Sequence, residues 1–110
     1  MFQLIHLKGS VKTGEEDAFG QPKLNYETVD TFYGMVDLLT KSNEENVYRD
    51  LFPDTTHVLI TDGMPKVIPT TFMRIEVPST GNWYDITGVD NVGGQGHHLE
   101  IFIKGIEYES

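Results

Sequence analysis

The residues best suited to chemistry in this chain are its histidines, a Trp-Tyr pair and several acidic clusters. His97 and His98 are adjacent, and neighbours on an extended strand point to opposite faces, so the pair cannot chelate one ion. His98 and Glu100 share a face, and His57 on another strand could complete a three-ligand set of the kind that holds a catalytic metal. Such a set also needs partners that orient each ligand. His57 following Thr55-Thr56, and His98 on a polar strand face, read equally as ordinary strand residues. Trp83-Tyr84 follows a turn at Ser79–Asn82, and an aromatic pair at a strand start can stack a sugar or a base on a small barrel. Alternation instead buries one ring and exposes the other, and no basic residue lies near Trp83 in the sequence to hold a nucleic-acid backbone. Glu15-Glu16-Asp17 and Glu44-Glu45 fall in connections, where acidic clusters are usually solvated. Gly93-Gly94-Gln95-Gly96 lacks dinucleotide or phosphate-loop spacing and reads as a hairpin turn. Ser10, Ser42, Ser79 and Ser110 sit in turns or at the terminus, none in a nucleophile elbow. No catalytic residue, metal or cofactor is assigned, and the chain is expected not to be an enzyme.

The elements that would position these residues are strands. In Leu99–Lys104, Leu99, Ile101 and Ile103 share one face while Glu100, Phe102 and Lys104 share the other. Phe72–Val77 repeats the pattern, with Met73, Ile75 and Val77 inward and Arg74 and Glu76 outward. Asp30–Leu39 places Phe32, Gly34, Val36 and Leu38 on one side, and Phe2–Leu7, Thr56–Thr61 and Trp83–Asn91 are shorter candidates. The expectation is all-β: a small antiparallel six-stranded barrel or sandwich with two long loops and at most one short helix.

The long loops are placed at about 9–27, carrying Gly14, Gly20 and Pro22, and at about 40–55. Loops of this length are uncommon in compact domains unless functional or disordered. Within the second, Ser42-Asn43-Glu44-Glu45 matches a capping box. Val47 and Leu51, Tyr48 and Phe52, and Glu45 and Arg49 are each four apart before Pro53. Ser42–Phe52 therefore reads as a short helix that must lean on the sheet, or on a partner, to persist.

Charge and composition bound the function. Lys and Arg number 8 against 17 Asp and Glu, giving −9, which argues against gripping nucleic acid through a basic patch. There is no cysteine, hence no disulfide framework, thiolate zinc site or cysteine nucleophile. No apolar run approaches the roughly 20 residues of a membrane helix, and Met1–Leu7 does not read as a secretory signal. One soluble, acidic, intracellular domain of 110 residues is expected.

The order of features resembles the head-closure, or stopper, proteins of long-tailed bacteriophages, also called head–tail joining proteins. The resemblance is carried by Asp17-Ala18-Phe19-Gly20-Gln21-Pro22, Tyr33-Gly34-Met35-Val36-Asp37, the Ser42 and Glu45 region, Thr56–Thr61, Gly81–Asp90 and His98-Leu99-Glu100-Ile101. It departs at Asp62-Gly63-Met64-Pro65 and the stretch through Pro69, which leaves the edge pairing there open. The resemblance implies a dodecameric homo-oligomeric ring in the virion neck, assembled in the bacterial host cytoplasm. That ring sits between the portal–adaptor complex and the tail, retains packaged DNA and lets it pass on ejection.

By the same resemblance, the 40–55 loop would face and close the channel, with Ser42, Glu44, Glu45, Tyr48, Arg49 and Asp50 as candidates. The first loop would dock onto a neighbouring ring through Glu15, Asp17, Phe19 and Gln21. An extended segment over 40–55 reaches about 50 Å, enough to meet its symmetry mates at an axis. The marginal helix fits a segment that is helical or disordered in one state and extended in another. A tail-completion or tail-terminator ring protein, and a small β-barrel binding carbohydrate or peptide at Trp83-Tyr84, are the alternative readings.

Overall fold

A computed structural model describes residues 2–16, 18–20, 22–39, 54–90 and 96–106. They form six strands: β1 (Gln3–Glu16), β2 (Pro22–Leu38), β3 (His57–Thr61), β4 (Arg74–Val77), β5 (Asn82–Asp90) and β6 (Glu100–Gly105). The strands close into one antiparallel barrel in the order β1-β2-β3-β6-β5-β4. Of the two expected architectures, the barrel is the one formed. Among the described residues there is no helix.

The barrel follows from alternation. Ile5 and Leu7 of β1, Phe32 of β2, Leu59 of β3, Ile75 and Val77 of β4, Tyr84 and Ile86 of β5, and Ile101 and Ile103 of β6 fill the interior with Leu99. A barrel this narrow is filled by side chains and has no pore. Gly34 is required by that packing: a Cβ there would meet Leu59 Cδ1 at 2.6 Å and the Ile60 carbonyl at 3.1 Å. Leu38 shares the inward face of Gly34 and Val36 but is 64% exposed, because it stands at the barrel mouth where the layer of side chains ends. Phe102 lies on the outward face with Glu100 and Lys104, yet it is fully buried, flanked by Val58 and by Gly88. The β5–β6 register shift between Ile86 and Gly88 brings that glycine opposite it.

The largest departure from the sequence expectation is at 9–27. In place of a loop, β1 and β2 continue past the barrel as a two-stranded arm, paired from Gly9↔Glu27 through Lys12↔Leu24 and again at Glu16↔Pro22. The backbone satisfies itself in this ladder, while exposed residues on both faces remove the period-two signal that betrays a strand. Gly14 and Gly20 adopt φ of 81° and 77° near the tip, a left-handed conformation that glycine takes without strain. Eight residues from Gly9 to Glu16 give the arm a reach of about 25 Å.

Strand direction alternates around the barrel, with β3 joined to the non-adjacent β4 by a crossover, and this sorts the connections by end. The arm, the segment from Asp62 to Met73, and the β5–β6 connection leave one mouth of the barrel. The β4–β5 turn, Leu39 and Asp54 lie at the other. The arm and the described ends of the β2–β3 connection, Leu39 and Asp54, therefore lie at opposite mouths of the barrel.

Candidate functional site

Three features of the described surface bring aromatic, charged or polar groups together. The first is the root of the arm. Alternation sends His6 and Lys8 of β1, Arg74 and Glu76 of β4, and Trp83 and Asp85 of β5 to the outer face, in register across the three strands. Lys8 Nζ sits 5.5 Å from the centre of the Trp83 ring, and Tyr26 meets that ring edge-on at 6.5 Å. The Arg74 guanidinium lies 4.4 Å over Tyr26. Each cation also has a carboxylate: Arg74 Nε donates to Asp85 at 3.0 Å, and Lys8 Nζ lies 3.6 Å from Glu76, which also meets His6 Nδ1 at 3.0 Å. Lys8 further donates to Thr28 Oγ1 at 2.7 Å. Tyr26 belongs to the arm and Trp83 to the barrel, so this cluster fixes the angle at which the arm leaves.

The second feature is the Asp62–Met73 segment beside the arm root. Asp30 Oδ2 accepts from the backbone N–H groups of Lys66 at 2.8 Å and Val67 at 3.1 Å, and Oδ1 accepts from Thr31 N–H at 2.8 Å. Val67 packs on the core and Pro65 and Pro69 are buried. The edge pairing left open by the sequence is resolved here: β3 ends at Thr61, and a loop latched by Asp30 and braced by Pro65 and Pro69 follows. Buried Thr61 caps the change of direction, donating to the Gly63 carbonyl at 2.6 Å and accepting from Leu99 N–H at 2.8 Å. Ile68 and Phe72 remain on the surface, Phe72 83% exposed.

The third is an open cleft of about 390 Å³ at the opposite mouth, lined by Leu38, Thr56, His57, Asn82, Trp83 and Tyr84 with Gly105 and Ile106. His57 meets Tyr84 edge-on at 5.1 Å, and its Nδ1 lies 2.8 Å from Thr56 Oγ1. Burial lowers the His57 pKa below 6.5, because the charged ring would lose water there.

These contacts decide the sequence-level candidates. His57, His98 and Glu100 are not brought together. In the β3–β6 ladder His57 faces Ile103 while Glu100 faces Ile60, three residues along the strand and on the other face of the sheet. Among the described residues no group of three His, Asp or Glu side chains could hold a metal. The Trp83-Tyr84 platform divides as alternation requires, Tyr84 buried in the core and Trp83 half-buried outside. The sequence shows nothing basic near Trp83, but pairing of β1 with β4 and of β4 with β5 brings up Lys8 and Arg74, which chain proximity could not reveal. The Trp83 ring is already engaged by Tyr26 and Lys8.

Of the docking candidates, Glu15 is exposed near the end of β1 and Phe19 is 89% exposed at the arm tip. Asp17 and Gln21 lie outside the described residues, as do the channel candidates Ser42, Glu44, Glu45, Tyr48, Arg49 and Asp50 and the helix expected over 42–52. Sequence reasoning missed Tyr26 and Asp30 as positioning residues. The only signal would have been a tyrosine in a stretch read as loop and an aspartate at the start of the Asp30–Leu39 strand.

No protein-family model and no curated protein sequence matches this chain. Solved structures do. The chain is similar to protein SF1141 from Shigella flexneri 2a, known from a solution structure, with a TM-score of 0.70 and 17% identity over 97% of this chain and 94% of that one. It is also similar to a chain of the virion of a native gene transfer agent particle, with a TM-score of 0.61 and 15% identity over 94% of each chain. At these identities the likeness establishes a shared fold.

Proposed function

We propose that this chain is a structural subunit of a phage-like virion and, within it, of the head-closure ring of the head-to-tail connector. The observation that carries the reading is the end-to-end match with a chain of a gene transfer agent virion, 94% of each chain in one fold. The order of sequence features resembling head-closure proteins points the same way. A small closed barrel with an arm leaving one mouth and the β2–β3 connection departing at the other suits a part held between two neighbours, the portal–adaptor complex on one side and the tail on the other. The ring is a homo-oligomer of this chain, and no membrane enters the reading.

The charge of −9 acquires a role here. Carboxylates facing a channel repel DNA phosphates and keep a passing duplex from adhering. That repulsion fades over about 8 Å at physiological salt, so only channel-facing groups contribute. Glu44, Glu45 and Asp50 are the candidates from the sequence.

Localisation tests the proposal. A tagged copy should co-purify with assembled particles and appear at the neck in electron micrographs. Deletion should leave filled heads that leak DNA and lack attached tails. Absence of the chain from purified particles, or normal tailed particles without it, overturns the reading.

A further inference from the structure

The barrel is closed, and beyond it β1 and β2 continue as an arm whose outer edges no other described strand covers. β4 meets β1 only at His6–Lys8, and β3 meets β2 only from Gly34 to Leu38. Beyond those points β1 and β2 pair with each other and with no other described strand. An uncovered edge is a row of N–H and C=O groups that templates pairing with another chain, and natural edges are usually blunted by proline, bulges or short length. This arm is unblunted along its middle: Gly9↔Glu27, Ser10↔Tyr26, Val11↔Asn25 and Lys12↔Leu24 are consecutive and regular, with no proline among them. A two-stranded ribbon is also marginal on its own in water, and the Tyr26 cluster anchors only its root.

We infer that the arm is a strand-pairing element between copies of this chain, the β1 edge of one arm hydrogen-bonding to the β2 edge of the next. The occupant follows from strand direction. β1 and β2 are antiparallel, so copies related by rotation about an axis present β2 to the neighbour's β1 running the opposite way. Every junction then repeats the antiparallel geometry of the hairpin itself. Such a head-to-tail contact closes when the rotation closes, and a closed circuit of arms leaves no edge bare. Pairing of β1 with β1 across a two-fold axis would leave both β2 edges uncovered, and a foreign strand would cover one edge and leave the other. Backbone groups carry the association, and on the ribbon face shared by Val11, Asn25 and Glu27 two of these three exposed side chains are polar.

The inference requires the cyclic association included in the connector reading but not the neck location, and its test separates the two. The chain has no cysteine, so single cysteines report cleanly on the full-length protein. Val11→Cys, which shares a ribbon face with Asn25 and Glu27, is mixed in turn with Asn25→Cys and with Glu27→Cys, concentrated, and treated with a short bismaleimide. The expected result is a cross-linked dimer containing one of each variant, with little dimer from Val11→Cys alone. In hydrogen exchange, alternate amides between Gly9 and Gly14 should slow on association, since every second N–H points outward. A dominant Val11→Cys homodimer overturns the proposal in favour of two-fold pairing. Oligomers that give neither a mixed cross-link nor arm protection overturn it while leaving the ring intact. A protein that stays monomeric at every soluble concentration also overturns it, and the connector reading then stands or falls on particle localisation alone.

Discussion

Replacing Tyr26 with alanine should loosen the arm and leave the barrel alone. The side chain makes two contacts across the arm root: an edge-to-face approach to Trp83 at 6.5 Å and a stack beneath Arg74 at 4.4 Å. An aromatic pair contributes about 0.5–1.5 kcal/mol, and a cation over an exposed ring about 0.5–1 kcal/mol. The loss is therefore roughly 1–2.5 kcal/mol, corresponding to about 5- to 60-fold more frequent opening. Because the arm pairs with no other described strand, that opening is local and need not unfold the core. Exchange mass spectrometry on the monomer would compare peptides covering Gly9–Glu16 with those covering Glu100–Gly105. The arm amides should speed up within that range while those around Ile101 and Ile103 stay as slow as in the parent. A double-mutant cycle with Trp83→Ala should recover about 0.5–1.5 kcal/mol of coupling. Unchanged arm exchange would show that these contacts contribute nothing. Arm and core accelerating together would show that the arm is not a separate cooperative unit. Either result refutes the assignment of this cluster as the anchor.

Other outcomes follow from single contacts. Asp30→Ala orphans the N–H groups of Lys66 and Val67 and should cost about 1–3 kcal/mol, read by urea denaturation, with faster exchange confined to the Asp62–Met73 segment. Gly34→Ala drives a Cβ into Leu59 and the Ile60 carbonyl and should lower stability by about 1–3 kcal/mol in the same assay. His57, whose folded-state pKa is depressed below 6.5 by burial, takes up a proton more readily when unfolded. Stability should therefore fall as pH drops below about 6.5 and level off below the folded-state value, and His57→Phe should flatten that part of a melting-temperature-against-pH profile.

The sequence discloses strands wherever one face is buried. Ile75 and Val77, and Ile101 and Ile103, alternate with polar neighbours because one side of each strand is core and the other is water. At Ser10 and Val11, and again at Gly14–Glu16, water reaches both sides, so β1 loses its period where it leaves the barrel, and glycines read as loop. Asp30 looked like the start of a strand, and its binding of a loop 36 residues away depends on tertiary closure that no local pattern encodes. Lys8 beside Trp83 is the same case, since β4 lies between their strands and sets their separation. The fold class was legible because it depends on periodicity. The clusters were not, because they depend on register.

β2 is one uninterrupted strand from Pro22 in the arm to Leu38 at the far mouth. It borders β1 along most of that length and β3 over the rest. A tension applied to the arm along the strand axis would load these ladders in shear, bonds sharing the strain side by side instead of parting one after another. β2 thus acts as a tie rod through the molecule: a tug at one end is delivered, through a stiff and well-bonded member, to the place where the chain departs at Leu39.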